Sequence, residues 1–498
     1  MSEFGQTFPG ASITVLPMNT LDPRVCYAAF VARDRRFDGW FFMGVTSTGI
    51  YCRPICPARA PHAKNCSFYS SAAAAEHAGY RPCLRCRPEL APGHRVLDLS
   101  TGLAQAAARL IEEGFLSGKN LSALAGRVGI TTRHLRRIFE AEFGVSMTAY
   151  TRTQRLLIAK RLLTDTQMSV TEVALAAGFG SVRRFNALFQ SQYGLSPLRL
   201  RKMSRAPDSH VMKFELSYRP PFAWRGVLDF LAHRQIRGVE QVGEDRYTRI
   251  IAFEHAGRPL MGWISIEHAP LRHSLLVTAS ASLQYGIAPL LGRVRRIFDT
   301  DCRPDLIDAH LGALAADLPG MRVPGAVDGF EIAVRAIVGQ QISVANARVV
   351  LGRIAERFGA KVPDAPFGLF SAFPAAGDIA QLSAEDLIAT GLIRIRAEAI
   401  IAVAQAVASG RIILEPLVPL EETLTALRAI RGVGEWTVQY IAMRALGWPN
   451  AFPEGDAVLK KHLGYSAAAL LNEHASQWAP WRAYATVHLW RQHEAAKS

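Results

Sequence analysis

Four cysteines, Cys52, Cys56, Cys83 and Cys86, stand as C-x3-C and C-x2-C with 26 residues between the pairs. That spacing is the pattern of a tetrahedral zinc–thiolate site. Thiolates are also nucleophiles, and a neighbouring metal favours the ionised form. Cys52, inside Gly49-Ile50-Tyr51-Cys52-Arg53-Pro54-Ile55-Cys56, therefore has two open roles. It is either a ligand alone or a metal-activated nucleophile that accepts an alkyl group.

A second chemistry lies near the other end of the chain. Leu427–Thr437 reads as helix, tight Gly432-Val433-Gly434 turn, helix. Glycine permits the turn, and the amides opening the next helix can bind a phosphate. About twenty residues on, Pro453-Glu454-Gly455-Asp456 opens a helix over Ala457–Leu463. An aspartate there is an N-cap by default. Following a helix-hairpin-helix, in a segment rich in Trp and Tyr, it is also a candidate catalytic carboxylate. Breaking the glycosidic bond of an alkylated purine builds positive charge on the sugar, which a carboxylate in a dry pocket stabilises. The base must first leave the stack, so aromatic walls are needed. Trp436, Tyr440 and Trp490 are the candidates. A glycosylase that also cuts the backbone uses a lysine amine. Trp436 holds the position after Gly434-Glu435, so the expected enzyme is monofunctional and leaves an abasic site.

The elements that must position these groups fall into several domains, because 498 residues exceed one core. The formal net charge of +15 points to a polyanion as partner. Seven cysteines, four of them clustered, suit a reducing compartment and a metal rather than a disulfide framework. No signal peptide or membrane span is expected, and the expected location is the cytoplasm, associated with the nucleoid. Residues 1–17 read as a tail and 18–96 as a small zinc-stapled α+β module. Residues 97–205 read as an all-α double helix-turn-helix, 206–300 as an antiparallel sheet with helices, and 301–498 as the helix-hairpin-helix domain. The whole is thus a multidomain α+β chain. Strands are expected over Met212–Tyr218, Tyr247–Glu254, Met261–Glu267 and Ser274–Ala279, and helices over Trp224–Arg234 and Ile287–Phe298.

The double helix-turn-helix rests on an internal repeat of about 50 residues. Leu124–Gly129 with Leu135–Phe139 matches Val173–Gly178 with Phe185–Phe189. Between Arg127 and Arg205 stand 14 Arg/Lys against 4 Asp/Glu. Arg133, Arg136 and Arg137, then Arg183 and Arg184, fall on the second helix of each copy, where phosphates and major-groove edges are reached.

These residues carry a resemblance. The segment from about 20 to 205 resembles the N-terminal half of the Ada adaptive-response regulators, through Thr48–Cys56, Phe68-Tyr69 and Arg81–Cys86, followed by an AraC-type double helix-turn-helix. The segment from about 212 to 495 resembles AlkA-type 3-methyladenine DNA glycosylases, through Phe222-Ala223-Trp224, Val338–Ser343, the hairpin, Asp456 and Trp481–Trp490. The resemblance implies that Cys52 takes a methyl group from a DNA methylphosphotriester while the four thiolates hold one zinc. It implies that Arg59, Arg81 and Arg85 meet DNA, that Asp456 is the glycosylase carboxylate, and that Phe230, Trp436, Tyr440 and Trp490 line the base pocket. Gln340, Gln341, Gly432 and Gly434 fall on the DNA side. Gln341 stands where some relatives push an apolar wedge, and it is more polar than such a wedge. The Pro-Cys-His-Arg site of a second methyltransferase is absent from this sequence.

The expected cofactor set is one zinc, with the hairpin a candidate site for a monovalent cation and no organic cofactor. The expected partners are alkylated and promoter double-stranded DNA, with RNA polymerase a further candidate, no membrane, and a monomeric state. Two rival readings stay open: a regulator whose glycosylase fold only grips DNA, and a glycosylase whose zinc module is a structural tether.

Overall fold

The protein's structure, a computed structural model, describes residues 22–93, 99–203, 211–363 and 365–495. The expected tail 1–17 lies outside them. No helix among the described residues is long and apolar enough to cross a membrane.

The first sheet has the order β3-β1-β2-β4, with β1 at Phe42–Val45, β2 at Ile50–Cys52, β3 at Cys66–Tyr69 and β4 at Arg81–Pro82. Strands β1 and β2 pair antiparallel with Met43 opposite Cys52, so Met43, Val45 and Phe30 of the helix Pro23–Val31 form the apolar floor under the thiols. This is a thin core, and a domain of that size needs a further staple.

Two helix-turn-helix units follow. In the first, helices Leu121–Arg127 and Thr132–Phe143 meet; in the second, Val170–Ala176 and Val182–Tyr193. The pattern of buried and exposed positions over 131–143 is reproduced residue for residue over 181–193. The repeat seen in sequence is therefore a repeat of packing. Both second helices start on a hydroxyl cap, Thr131 or Ser181, and both end on a left-handed glycine, Gly144 or Gly194. The 19-residue helix Met147–Asp165 joins the two units.

The second sheet is antiparallel, in the order β5-β9-β8-β7-β6. It comprises β5 (Val211–Ser217), β6 (Glu240–Val242), β7 (Arg246–His255), β8 (Arg258–Ala269) and β9 (Ser274–Ser280). The four expected strands are all present. Strand β6 was not expected: three residues are too few to display an alternation. The helices Trp224–His233 and Ile287–Phe298 stand where periodicity placed them.

One hydrophobic core runs from Leu156 on the joining helix, through the second helix-turn-helix and the β5–β9 sheet, to Trp490. The first helix-turn-helix keeps its own core. Ion pairs stitch the modules together. Asp301 accepts from Gly93 N (3.0 Å) and pairs with Arg109 and Arg295, while Arg219 donates to the carbonyls of Asp38 (2.8 Å) and Asp301 (3.0 Å). Lys160 pairs with Glu89 at 2.6 Å and Arg87 with Asp165 at 2.7 Å. Several basic residues counted toward a DNA face are therefore structural: Arg127, Lys160 and Arg161 are buried.

Candidate functional site

The four thiols converge. Cys52 ends β2, Cys56 follows a turn in which its N–H bonds to Arg53 O, and Cys83 N bonds to Tyr51 O. All four are buried, and their sulfurs lie within 4.8 Å of one another. Zinc at about 2.3 Å from each sulfur requires sulfurs roughly 3.8 Å apart, so the cluster fits that ion. Thiols this close cannot all ionise unaided. Hydrogen bonds that Cys52 donates to Cys56 and Cys83 hold its thiol far above its ordinary range, and accepting that bond holds Cys83 far below. A divalent cation lets all four be thiolates.

The knuckle is locked from behind. Arg53, 2% exposed, forms a forked ion pair with Asp38, donates to Cys86 O at 3.1 Å, and its backbone N–H reaches Cys86 Sγ at 3.3 Å. Arg59 and Arg85 are exposed and Arg81 is half-buried, so the cations expected at DNA flank the thiols on the outside. Arg133, Arg136, Arg137, Arg183 and Arg184 are exposed on their helices. Among the described residues, Arg137 makes a 3.4 Å contact with His134.

The second site is a cleft of ≈ 1070 Å³ between the hairpin and the N-terminus of helix Ala457–Leu463. Asp456 caps that helix: Oδ1 accepts from Val458 N and Leu459 N, both at 2.9 Å. The capping and the candidate catalytic roles therefore fall on one carboxylate. Trp436 Nε1 donates to Oδ2 at 2.8 Å and Trp490 Nε1 to Oδ1 at 3.3 Å. Asp456 is 7% exposed. Trp436 stacks on Tyr440 at 5.2 Å, and Tyr440 meets Trp490 at 6.1 Å. These three rings line the cleft with Asp456.

Phe230, expected in the same wall, is displaced from it. It stacks behind Trp490 at 6.3 Å, and Arg234 (4.0 Å) and Arg444 (4.9 Å) lie over its ring, so it backs the pocket rather than facing it. Gln340 is also redirected. Its amide donates to Gly432 O (3.0 Å) and Thr437 Oγ1 (2.8 Å), so the side chain latches the hairpin instead of reaching outward. Gln341 is exposed at the cleft with φ of +53°. Gly432 has φ of +88°, and a Cβ there would stand 3.0 Å from Ala399. A Cβ at Gly434 would meet nothing within 4 Å; this glycine begins helix Glu435–Arg444 with no side-chain cap and leaves that helix start open to the cleft.

Residues absent from the sequence reading complete the wall or back it. Arg444 Nη1 donates to Tyr440 Oη at 2.7 Å. Burial pushes the Tyr440 phenol up, but Arg444 and Arg234 outweigh it and the net lies below the ordinary value. Arg335, paired with Glu240 (2.5 Å) and Glu331 (2.6 Å), closes one side. The available signal was an arginine four residues after an aromatic, Phe230/Arg234 and Tyr440/Arg444, which puts both on one helix face.

Comparison with known proteins matches four family models: the metal binding domain of Ada (residues 25–89), a helix-turn-helix domain (124–203), the AlkA N-terminal domain (213–328) and the HhH-GPD superfamily of base excision DNA repair proteins (334–470). DNA-3-methyladenine glycosylase 2 of Escherichia coli is 34% identical over 277 residues, 56% of this chain and 96% of that one. The bifunctional transcriptional activator/DNA repair enzyme Ada of Escherichia coli is 40% identical over 155 residues, 31% of this chain and 42% of that one. A Mycobacterium tuberculosis protein described as "Probable bifunctional transcriptional activator/DNA repair enzyme AlkA" is 35% identical over 483 residues, 93% of this chain and 95% of its own. A likeness that runs through the thiol module, the helix-turn-helix pair and the hairpin domain alike leaves no module over, and the chain belongs to the family of bifunctional AlkA-type transcriptional activator/DNA repair enzymes.

Proposed function

We propose that this chain answers DNA alkylation twice, as a methyl-accepting transcription regulator and as a 3-methyladenine-type DNA glycosylase. The observation that carries the enzymatic half is the Asp456 carboxylate, nearly dry, held by two indole N–H groups in a wall of rings. The substrate nucleotide turns out of the duplex and its base stacks on Trp436, Tyr440 and Trp490. As the N-glycosidic bond breaks, the sugar becomes cationic and the carboxylate stabilises it, then orients water at the same carbon. The helix behind Asp456 directs its N-terminal amides at the carboxylate and keeps it in place. With Trp436 where a lysine nucleophile would stand, the product is an abasic site.

In the regulatory half, Cys52, Cys56, Cys83 and Cys86 would hold zinc, which would keep the thiols ionised and nucleophilic. The Cys52 sulfur attacks the methyl carbon of a methylphosphotriester; the S–C bond forms, the C–O bond breaks, and a phosphodiester anion leaves. Cys52 becomes a neutral thioether, so the cluster loses one negative charge. One unit charge about 4 Å from a phosphate is worth roughly 1 kcal/mol in water and about 4 kcal/mol at an effective dielectric of 20. That strengthens DNA binding beside Arg59, Arg81 and Arg85, and the two helix-turn-helix units convert it into promoter occupancy.

The test is one incubation with duplex carrying both N-methylated purines and methylphosphotriesters, scoring free base and the mass of the peptide containing Cys52. Free methylated base and one added methyl are expected. Base release with an unmodified Cys52 would reduce the zinc module to a tether; methylation without base release would reduce the glycosylase fold to a DNA grip.

A further inference from the structure

The first helix-turn-helix is bolted to the hairpin by a short strap. Residues Glu415–Pro419 run directly into helix Leu420–Arg428, the first helix of the hairpin. Arg127, in the last turn of helix Leu121–Arg127, pairs with Glu415 at 3.1 Å and donates to Pro416 O at 3.3 Å. Its guanidinium side chain is 6% exposed. Leu417, in the left-handed region at φ of +67°, packs against the core of the first helix-turn-helix. A Cβ on Gly129, in the turn of that unit, would stand 3.3 Å from Pro419. Two further anchors stop this unit from swinging. Glu113, just beyond helix Leu99–Glu112, pairs with Arg296, and Arg109 pairs with Asp301.

Helix Leu420–Arg428 has nine residues and so spans about 14 Å. That is the length of about four base pairs of B-form DNA. The strap end of this helix touches the turn preceding the recognition helix Thr132–Phe143, and its other end enters the Gly432-Val433-Gly434 turn. Exposed arginines stand at both ends: Arg133, Arg136 and Arg137 on one, and on the other Arg431 with Arg428, which is paired with Glu435 at 2.8 Å. Glu421 and Glu422 complement the helix dipole in the first turn, so the cations form two points of grip rather than a strip.

We infer that the first helix-turn-helix and the helix-hairpin-helix form one composite surface that holds a single duplex, with the helix-turn-helix gripping the DNA on one side of the lesion only. This rests on the DNA-binding reading of both halves and extends it. Rigid linkage makes the second contact intramolecular, so affinity rises without any new contact being built.

The full chain is titrated with duplexes carrying a central abasic-site analogue and arms of roughly 5 base pairs, lengthened to roughly 15, about one and a half helical turns, on one side at a time. Lengthening one arm is expected to tighten Kd at least tenfold, and lengthening the other to leave it within about twofold, the two-contact gain being ordinarily larger than that. The gain should vanish in the Arg133→Ala/Arg136→Ala/Arg137→Ala chain, whose substituted side chains are all exposed. Glu415→Gln should reduce it by loosening the strap. Equal gains from both arms, or a one-sided gain that survives the triple substitution, overturns the composite surface. Failure of the underlying reading looks different: the parent chain would then bind the abasic analogue no better than plain duplex and release no base from a short duplex with an N-methylated purine.

Discussion

Asp456→Asn is the most informative single change. The carboxylate receives four N–H donors, from Val458, Leu459, Trp436 and Trp490, and offers nothing back. An asparagine keeps its oxygen where Oδ1 sits and retains the cap. Its amide then takes the place of Oδ2 and meets Trp436 Nε1–H donor to donor. One hydrogen bond is lost and a half-buried donor is orphaned, at a cost of about 1–3 kcal/mol. Catalysis loses more. A unit negative charge about 4 Å from a cationic sugar contributes about 4 kcal/mol at an effective dielectric of 20. By the relation of about 1.4 kcal/mol per tenfold, the rate should fall roughly a thousandfold. The assay is single-turnover release of free 3-methyladenine from duplex, with abasic-analogue affinity and thermal melting measured alongside. A variant that melts a few degrees lower, binds the analogue and releases base a thousandfold more slowly fits the reasoning. An asparagine chain that keeps more than a tenth of the parent rate would refute it, because the charge would then be doing little.

Four further outcomes follow from the same structure. Gln340→Ala removes both bonds to the hairpin at Gly432 O and Thr437 Oγ1, so affinity for the abasic analogue should drop severalfold while the zinc content of the chain is unchanged. Cys83→Ala, or treatment with a strong chelator, should strip zinc and expose residues 22–93 to protease, while base release persists; metal analysis and limited proteolysis read the first two. Burial pushes the His488 imidazole down from 6.5 to about 4, and neither ring nitrogen has a hydrogen-bond partner among the described residues. The neutral ring is favoured by folding, so this stability is present above pH 6.5 and is lost as pH falls toward 4, by about 2 kcal/mol at pH 5. The parent should therefore lose more Tm between pH 7 and 5 than His488→Leu does; equal losses would exclude His488 as the source. Glu76 has the opposite sign. Burial raises its carboxyl from 4.5 to about 8 against the bonds from Thr153 and Tyr51, so its stabilising share is full below pH 4.5 and is lost as pH rises through 8.

What could be read without a structure was local. The cysteine pairs sit on turns of two or three residues, each helix-turn-helix is a short run of helix-period apolar positions around a glycine, and Asp456 lies two and three residues from the amides it caps. The two recognition helices were legible twice over, because Leu135 and Phe139 recur as Phe185 and Phe189 and are buried in the same way. Misreadings came where a side chain's direction was at stake. Phe230 and Gln340 lie on the expected elements, but one turns its ring behind Trp490 and the other spends its amide on a carbonyl 92 residues away.

By itself, then, the order of residues determined the module types, the thiol set and the carboxylate, since spacing of a few residues decides which groups share a turn or a helix face. Tertiary structure alone decided how the modules meet. Asp301 gathers Gly93, Arg109 and Arg295, and Arg127 finds Glu415 across 288 positions of chain. Such pairs leave no periodic trace. A buried ion pair is set by where two surfaces close on each other, and its partners become definite only once both modules have folded.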